Sequence, residues 1–271
     1  MTAAGASIVL LALTWLAAFH VGFGAHADRA ILNGFGGLQR PRVNHLANLI
    51  ASLCNPKPFV AFAAVIVLVA LVRRRPRLAL ATAAILLGAN TTTELLKPLL
   101  ASPRGLPGQA TAVASWPSGH ATAAMSLALC AVLVAPARLR PALAALGAVF
   151  AVAVSYSFLH LGWHYPSDVL GGFLVAATWT LVVVAALFTI EARRGEQPST
   201  AGSERLSLRT ALTPPALALA GAVALAGLVA LARPHQVVVY VRAHEAFIVG
   251  ASAIAVLGLV LATAVMLNVR R

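Results

Sequence analysis

Two histidines and one aspartate in this sequence have the types and the spacing that phosphoryl chemistry requires. His164 stands four residues before Asp168, so in a helical turn the carboxylate can accept a hydrogen bond from one ring nitrogen and leave the other nucleophilic. His120 follows Gly119 at the start of an apolar run and can give a proton to a leaving oxygen. A lone histidine at a helix end is more often structural, so the chemical interpretation requires that the two lie together.

Four further residues could hold the oxygens of a phosphate group. Lys97 and Arg104 offer fixed positive charge, and the arginine adds a planar fork of donors. Ser118 and Gly119 follow a proline, a sequence that favours a helix start whose free N–H groups bind an anion. Each has a simpler alternative, because cations anchor helix ends at membrane surfaces, Lys97 can pair with Glu94, and serine can cap a helix.

The composition places these residues in a membrane protein. Of the 271 residues, 60% are hydrophobic and only 10% are charged, which excludes an ordinary soluble domain and a disordered chain. The net charge of +13 does not indicate a nucleic-acid partner, because the cations form short clusters between apolar runs. Apolar runs predict eight membrane spans: 6–24, 58–72, 78–98, 119–137, 141–159, 168–190, 212–232 and 246–268.

Arginine clusters between the spans predict the orientation of the chain. They follow the second, fourth and sixth spans and end the sequence, so the positive-inside rule places them, and both termini, in the cytoplasm. The stretches that contain the candidate residues then emerge together on the extracytoplasmic face. The sequence thus predicts a multi-pass protein of a cytoplasmic membrane, bacterial by its Ala- and Arg-rich composition, with one outward-facing site.

The chain divides into a core and a C-terminal pair of spans. Residues 1–190 form the predicted six-span core, 191–211 a polar cytoplasmic linker, and 212–271 a two-span hairpin without ionisable residues in its helix cores. Residues 30–53 have apolar positions at helical spacing interrupted by polar ones, which predicts an interfacial helix on the outer surface. The predicted fold class is an all-α polytopic membrane bundle.

Three blocks of residues within 58–190 resemble the signature of the type 2 phosphatidic acid phosphatase family, integral-membrane lipid phosphatases that share their site with vanadium haloperoxidases. The family pattern is Lys, six residues and Arg-Pro; then Pro-Ser-Gly-His; then Ser-Arg, five residues, His, three residues and Asp. The sequence has Lys97 and Arg104 in the first block, the complete second block at 117–120, and Ser157, His164 and Asp168 in the third. The resemblance covers roughly half of the chain.

The resemblance implies a role for each matching residue. His164 would be the nucleophile that forms a phosphohistidine, with Asp168 orienting it, and His120 would protonate the departing group and then help to activate water. No metal ion or other cofactor is implied. The phosphoryl oxygens would be held by the donors of the first two blocks: Lys97, Arg104, Ser118 and the backbone N–H of Gly119.

Two positions depart from the family pattern. Gly105 replaces the proline after the first arginine, a small loss if neighbouring prolines stiffen the turn. Phe158 replaces the arginine of the third block, so one phosphate donor is missing. His160, four residues before His164, is the candidate auxiliary residue that completes the site. The other candidates are cations of the outer segments: Arg40, Arg42 and Arg242.

The sequence therefore predicts an enzyme that hydrolyses a phosphate or pyrophosphate group on a lipid at the outer membrane surface. Candidate substrates are a polyprenyl diphosphate, phosphatidic acid and phosphatidylglycerophosphate. Two alternatives stay open: a lipid phosphotransferase, in which an alcohol replaces water, and a non-catalytic protein that binds lipid phosphates, which the loss of the arginine at Phe158 would favour. A transporter is less favoured because the sequence shows no pair of broken spans.

Overall fold

The computed structural model describes residues 2–105, 114–193 and 207–269, and the regular elements within these ranges are helices. Besides one short 3₁₀ turn at Ala137–Leu139, the described α-helices are α1 (Thr2–His20), α2 (Gly22–Gly36), α3 (Pro41–Ser52), α4 (Pro56–Val72), α5 (Pro76–Leu100), α6 (Gly119–Val134), α7 (Arg140–His160), α8 (Pro166–Arg193), α9 (Leu208–Ala232), α10 (Pro234–Ala243) and α11 (Glu245–Val269).

All of the predicted spans fall on helices, but two of those helices, α4 and α6, are short. Among the described residues, six helices are long and apolar enough to cross a bilayer, and α3 with α4, bent by 49° at their junction, would make a seventh. The helix α6 has only 16 residues. The predicted all-α membrane bundle is confirmed, whereas the expectation of eight full-length spans is reduced to six or seven and a short apolar helix.

The prediction of one continuous interfacial helix at 30–53 is wrong. The segment contains the end of α2 and all of α3, with a break between them, and the first span ends at His20 rather than at residue 24. Arg40 has an extended backbone (φ −147°, ψ 149°) and precedes Pro41. Because a proline pushes the residue before it out of the helical region, one helix cannot continue through this position.

The centre of the bundle is α6, which packs against α5, α7 and α8. Nearly all of its side chains are buried, including the apolar Met125 and Leu129, and its small polar residues Thr122 and Ser126 are buried with hydrogen bonds. A helix with apolar residues all around it is stable when it is surrounded, here by the neighbouring helices. The shortness of α6 therefore fits a helix that is enclosed by protein.

The four helices α5 to α8 alternate in direction and so share two common ends. At the histidine end, which contains His120 and His164, α5 and α7 finish and α6 and α8 begin. At the arginine end, which contains Arg75 and Arg140, α5 and α7 begin and α6 and α8 finish. Since α5 has 25 residues, the two ends lie about 37 Å apart.

The two C-terminal spans differ in their packing. The helix α11 packs into the core, where Tyr156 donates a hydrogen bond to the carbonyl oxygen of Ala251 at 2.5 Å, while most side chains of α9 are exposed. A further helix, α10, lies between them where the sequence predicts a loop. Most of the predicted linker at 191–211 falls outside the described residues, and the division into core and hairpin stays a prediction.

Candidate active site

His164 and Asp168 meet at the turn from α7 to α8, as their spacing predicts. The chain turns at Gly162, whose positive φ of 73° is a conformation that glycine adopts readily. Nδ1 of His164 lies 3.3 Å from Oδ2 of Asp168, an oxygen that also accepts the backbone N–H of Tyr165 at 2.9 Å. Because an ionised carboxylate only accepts, Nδ1 is the donor and Nε2 keeps its lone pair.

The structure brings His120 and His164 together. Their ring centroids are 6.5 Å apart, and the ring of Phe158 contacts both, at 6.0 Å from His120 and 5.1 Å from His164. Trp163 lies 6.0 Å from His120. The two imidazoles thus lie close enough to act on one phosphoryl group, with aromatic rings beside them.

Asn55 also contacts the site, although sequence analysis did not select it. Its Oδ1 lies 3.1 Å from Nε2 of His120. The residue precedes α4, directly before Pro56, and so comes from the bend between α3 and α4. An asparagine before a helix-starting proline is common, and the sequence contains no signal that would place it beside a histidine 65 residues away.

Lys97 lies over the start of α6, close to the predicted phosphate-binding loop. Its Nζ is 2.6 Å from Oε1 of Glu94, the pair that the i,i+3 spacing predicts. A Cβ added to Gly119 would lie 3.1 Å from that Glu94 oxygen and 3.6 Å from Nζ of Lys97. The cation is therefore positioned at the helix start, with a carboxylate beside it.

The loop before α6 is anchored on α8. Ser118 is fully buried, its Oγ accepts the backbone N–H of Ala121 at 3.3 Å, and its own N–H donates to the carbonyl oxygen of Asp168 at 2.9 Å. A Cβ on Gly172 would lie 2.7 Å from the Ser118 carbonyl oxygen, so only glycine permits this close approach. The structure shows Ser118 as a helix cap, and its contact with phosphate stays a prediction.

Arg104 is engaged by two carboxylates. Its Nη1 lies 2.9 Å from Oδ2 of Asp28, and its Nη2 pairs with Oδ1 of Asp168. The guanidinium also lies 4.6 Å from the ring centroid of Phe19 and 4.2 Å from that of Tyr165. With both terminal nitrogens engaged and aromatic rings nearby, Arg104 is placed to fix the carboxylate of Asp168, and its predicted contact with phosphate is not tested.

Asp28 is the second residue that sequence analysis missed. Its oxygens accept the backbone N–H of Ser167 at 2.9 Å and the hydroxyl of Ser167 at 2.5 Å. Burial raises the pKa of the Asp28 carboxyl above its usual value, and the Ser167 hydrogen bonds and the Arg104 charge oppose this only in part. One signal could have identified it, since it is one of only seven acidic residues.

His160 lies away from the two imidazoles. Its Nε2 is 2.8 Å from Oδ1 of Asn44, and its carbonyl oxygen accepts a hydrogen bond from Gln39 at 2.7 Å. Among the described contacts, none joins His160 to His120 or His164. The predicted auxiliary role is thus not supported by its position, which ties α7 to α3.

Comparison with known proteins found a matching family model and a similar fold. Residues 78–192 match the family model of the PAP2 superfamily. The fold is similar to the crystal structure of a transmembrane PAP2 type phosphatidylglycerolphosphate phosphatase from Bacillus subtilis, with a TM-score of 0.56 and 20% sequence identity over 70% of this chain and 98% of that chain. A search of curated proteins found no match.

The segment 78–192 is therefore similar to the PAP2 superfamily, and the resemblance that the three blocks of residues indicate is confirmed. The prediction of an enzyme of the phosphatase class is confirmed with it. The matched segment contains α5 to α8 almost completely, and with them every residue of the three blocks.

Proposed function

We propose that this protein hydrolyses a phosphate or pyrophosphate group on a lipid, without a metal ion and through a phosphohistidine intermediate, at the extracytoplasmic surface of the membrane. The observation that carries the proposal is the pair of imidazoles 6.5 Å apart, one of them held by the buried carboxylate of Asp168. The superfamily match supports the same chemistry.

In the first step, Nε2 of His164 attacks phosphorus and the bond from phosphorus to the lipid oxygen breaks. His120 gives a proton to that oxygen, so the lipid leaves as an alcohol or as a lower phosphate. The hydrogen bond from Nδ1 to Asp168 stabilises the positive charge that His164 acquires. Lys97 and the N-terminal end of α6 stabilise the negative charge on the phosphoryl oxygens.

In the second step, water attacks the phosphohistidine. His120, now neutral, accepts a proton from the water, the N–P bond breaks, and inorganic phosphate leaves with His164 restored. Asn55 holds Nε2 of His120 and so fixes the orientation of the ring in both steps. Arg104 acts through Asp168, whose carboxylate it holds in place.

The location of the site supports a lipid substrate. The imidazoles lie where α5 and α7 end, so a lipid can keep its tail beside the bundle while its headgroup reaches His164. The name of the Bacillus subtilis phosphatase supports phosphatidylglycerophosphate as one candidate, together with phosphatidic acid and a polyprenyl diphosphate.

Phosphate release from purified protein tests the activity. In detergent with EDTA, the wild type should release inorganic phosphate from at least one of these lipids, and His164→Ala should not. His45→Ala is the matched control, since His45 is an exposed histidine of α3, and it should keep wild-type activity.

Release that requires a metal ion would contradict the proposed mechanism, as would equal release by His164→Ala. Binding without turnover would favour the non-catalytic alternative, and transfer to an added alcohol in place of release would favour the phosphotransferase.

Labelling of single cysteines tests the side of the membrane. Both native cysteines are buried, so Arg42→Cys, exposed on α3 near the histidine end, and Arg138→Cys, exposed near the arginine end, provide the reactive groups. A maleimide that cannot cross membranes should label Arg42→Cys in intact cells and Arg138→Cys only after the cells are opened. The reverse pattern would place the site in the cytoplasm.

A further inference from the structure

A cavity of about 380 Å³ opens at the arginine end of the bundle, remote from the histidines. It is formed by the start of α5, the ends of α6, α8 and α11, and the start of α7. Four arginines line it: Arg74, Arg75, Arg77 and Arg140. Glu191 is the one acidic residue among its described lining.

Arg140 lies at the inner wall of this cavity and is buried, with 7% of its surface exposed. Nε donates to the carbonyl oxygen of Ala135 at 3.3 Å and Nη1 to that of Val269 at 3.1 Å. Both acceptors are neutral, and Arg75 lies near enough to repel the guanidinium charge. Within the described part of the chain these carbonyl groups are its hydrogen-bond partners, and a buried cation with neutral partners carries a large desolvation cost, which a bound anion would reduce.

Arg74 occupies a backbone position that normally belongs to glycine. After α4, its N–H bonds the carbonyl oxygen of Leu71 at 2.8 Å and the N–H of Arg75 bonds that of Ala70 at 3.0 Å, the pattern of a Schellman helix end. Arg74 is the left-handed residue of this motif, with φ 56°. An arginine is less stable than a glycine in that conformation, so Arg74 lowers the stability of the folded protein relative to glycine at the same position.

Three of the arginines at the cavity have no described carboxylate partner. Among the ion pairs of the described residues, none joins Arg74, Arg75 or Arg140 to a carboxylate. The helices α5 and α7 both begin here, and neither N-terminus has a side-chain cap. Two helix N-termini and several guanidinium groups together favour an anion with several oxygens.

The opposite wall of the cavity is apolar. Val184, Leu187 and Phe188 of α8 line it, and Phe188 is 39% exposed on the outer surface of the bundle. A ligand that fits both walls has a phosphate group beside an acyl chain. Basic recesses between membrane helices are suited to such headgroups.

We propose that this cavity binds the headgroup of an anionic phospholipid from the leaflet opposite to the one that the histidine end faces. The guanidinium groups hold the phosphate oxygens and the α8 side chains contact the first part of the acyl chain. The proposal does not depend on the catalytic function, because the bound lipid is a ligand that is not hydrolysed.

Thermal unfolding of the purified full-length chain in detergent tests the site. Phosphatidylglycerol should raise the unfolding temperature, whereas phosphatidylcholine with the same acyl chains and inorganic phosphate alone should not. For Arg140→Gln, the lipid concentration that gives half of the shift should rise roughly tenfold, the effect expected for losing a charge-assisted hydrogen bond. Arg138→Gln is the matched control, because Arg138 is exposed in the same link and does not line the cavity.

A second variant covers the case in which Arg140→Gln does not fold. Arg74→Gly relieves the left-handed backbone, so without lipid it should unfold at the same or a higher temperature than the wild type, yet it should respond less to phosphatidylglycerol. His164→Ala should keep the full response, which separates this site from the catalytic one. The proposal is overturned if phosphatidylcholine or inorganic phosphate gives the same shift, or if Arg138→Gln weakens the response as much as Arg74→Gly does.

Discussion

The histidine end and the arginine end of α5 to α8 hold positive charge in opposite ways. At the histidine end each cation of the site has a carboxylate: Arg104 lies between Asp28 and Asp168, and Lys97 pairs with Glu94. These charges are fixed before any substrate arrives, which is the condition for stabilising a transition state without reorganising the site.

At the arginine end, no described ion pair joins Arg74, Arg75 or Arg140 to a carboxylate. Arg140 gives its hydrogen bonds to backbone carbonyl oxygens, and Arg74 lies in a strained backbone conformation beside the same cavity. Together, the two proposals assign different purposes to arginines in one membrane bundle. Under these proposals Arg104, which is paired with acids, positions a catalytic group, and Arg74 and Arg140 provide positive charge for an external anion.

The largest effect is expected from Asp168→Asn, which breaks the charge pairing at the histidine end. The amide removes the acceptor that fixes the His164 tautomer, and kcat should fall by about 10³–10⁴-fold. The rate of phosphate release measures this. Glu245→Gln, a loss of an exposed carboxylate in the first turn of α11, should leave kcat unchanged. A folded Asp168→Asn protein with near wild-type kcat would show that the pairing has no catalytic role.

Asp28→Asn should have the next largest effect, since it leaves Arg104 with one carboxylate. Breaking a buried ion pair costs about 3–5 kcal/mol, so the free energy of unfolding should fall by an amount of that order. If Arg104 positions Asp168, kcat should also fall, by roughly tenfold for each 1.4 kcal/mol lost at the transition state. Loss of stability with an unchanged kcat would make Asp28 a structural residue only.

The pH profile of the same variant separates the two roles of Asp28. Because burial raises its pKa, the carboxyl takes up a proton at a higher pH than an exposed aspartate does, and Arg104 then loses one charged contact. The wild type should therefore lose activity on acidification over a range in which Asp28→Asn shows no further loss. Parallel acid limbs of kcat against pH in the two proteins would contradict this.

Phe158→Arg adds a cation without a carboxylate partner to the histidine end, which gives that end the kind of charge described above for the arginine end. The buried ring contacts both imidazoles where the family has an arginine, and a new phosphate donor should lower KM by roughly tenfold. Phe23→Arg, at an 82% exposed position of α2, is the matched control and should not alter KM. An unchanged KM in a folded Phe158→Arg protein would indicate that another group already fills the gap.

Asn55→Ala should give the smallest effect, because it removes one neutral hydrogen bond to His120. A loss of about 1 kcal/mol corresponds to roughly a fivefold lower kcat. Asn48→Ala is the matched control, because the described hydrogen bond of the Asn48 side chain goes to the carbonyl oxygen of Asn44 in its own helix. If the two variants have the same kcat, Asn55 does not orient the histidine.

Much of the fold could be predicted because long apolar runs in a sequence indicate membrane helices. The helices α5, α7 and α8 lie within a few residues of their predicted bounds, and the i,i+4 spacing of His164 and Asp168 predicted their contact. The division of 30–53 into two helices was missed, although Pro41 carried the local signal.

The contacts that the sequence did not reveal are those between distant segments. Asp28 meets Arg104 from 76 residues away and Asn55 meets His120 from 65 residues away, and neither has a spacing that a periodic pattern could show. The position of His160 was missed for a related reason. Four residues before His164 would place it on the same face of a continuous helix, but α7 ends at His160 and the chain turns through Gly162.

Trapping the covalent intermediate tests whether His164 is the nucleophile. Wild-type protein mixed with a ³²P-labelled lipid phosphate in EDTA and quenched within one turnover should carry acid-labile, base-stable label, and peptide mapping should place it on His164. His164→Ala should carry no label, and His120→Ala should accumulate little of it. Label on another residue, or turnover of lipid phosphate without any labelled protein, would rule out a phosphohistidine at His164.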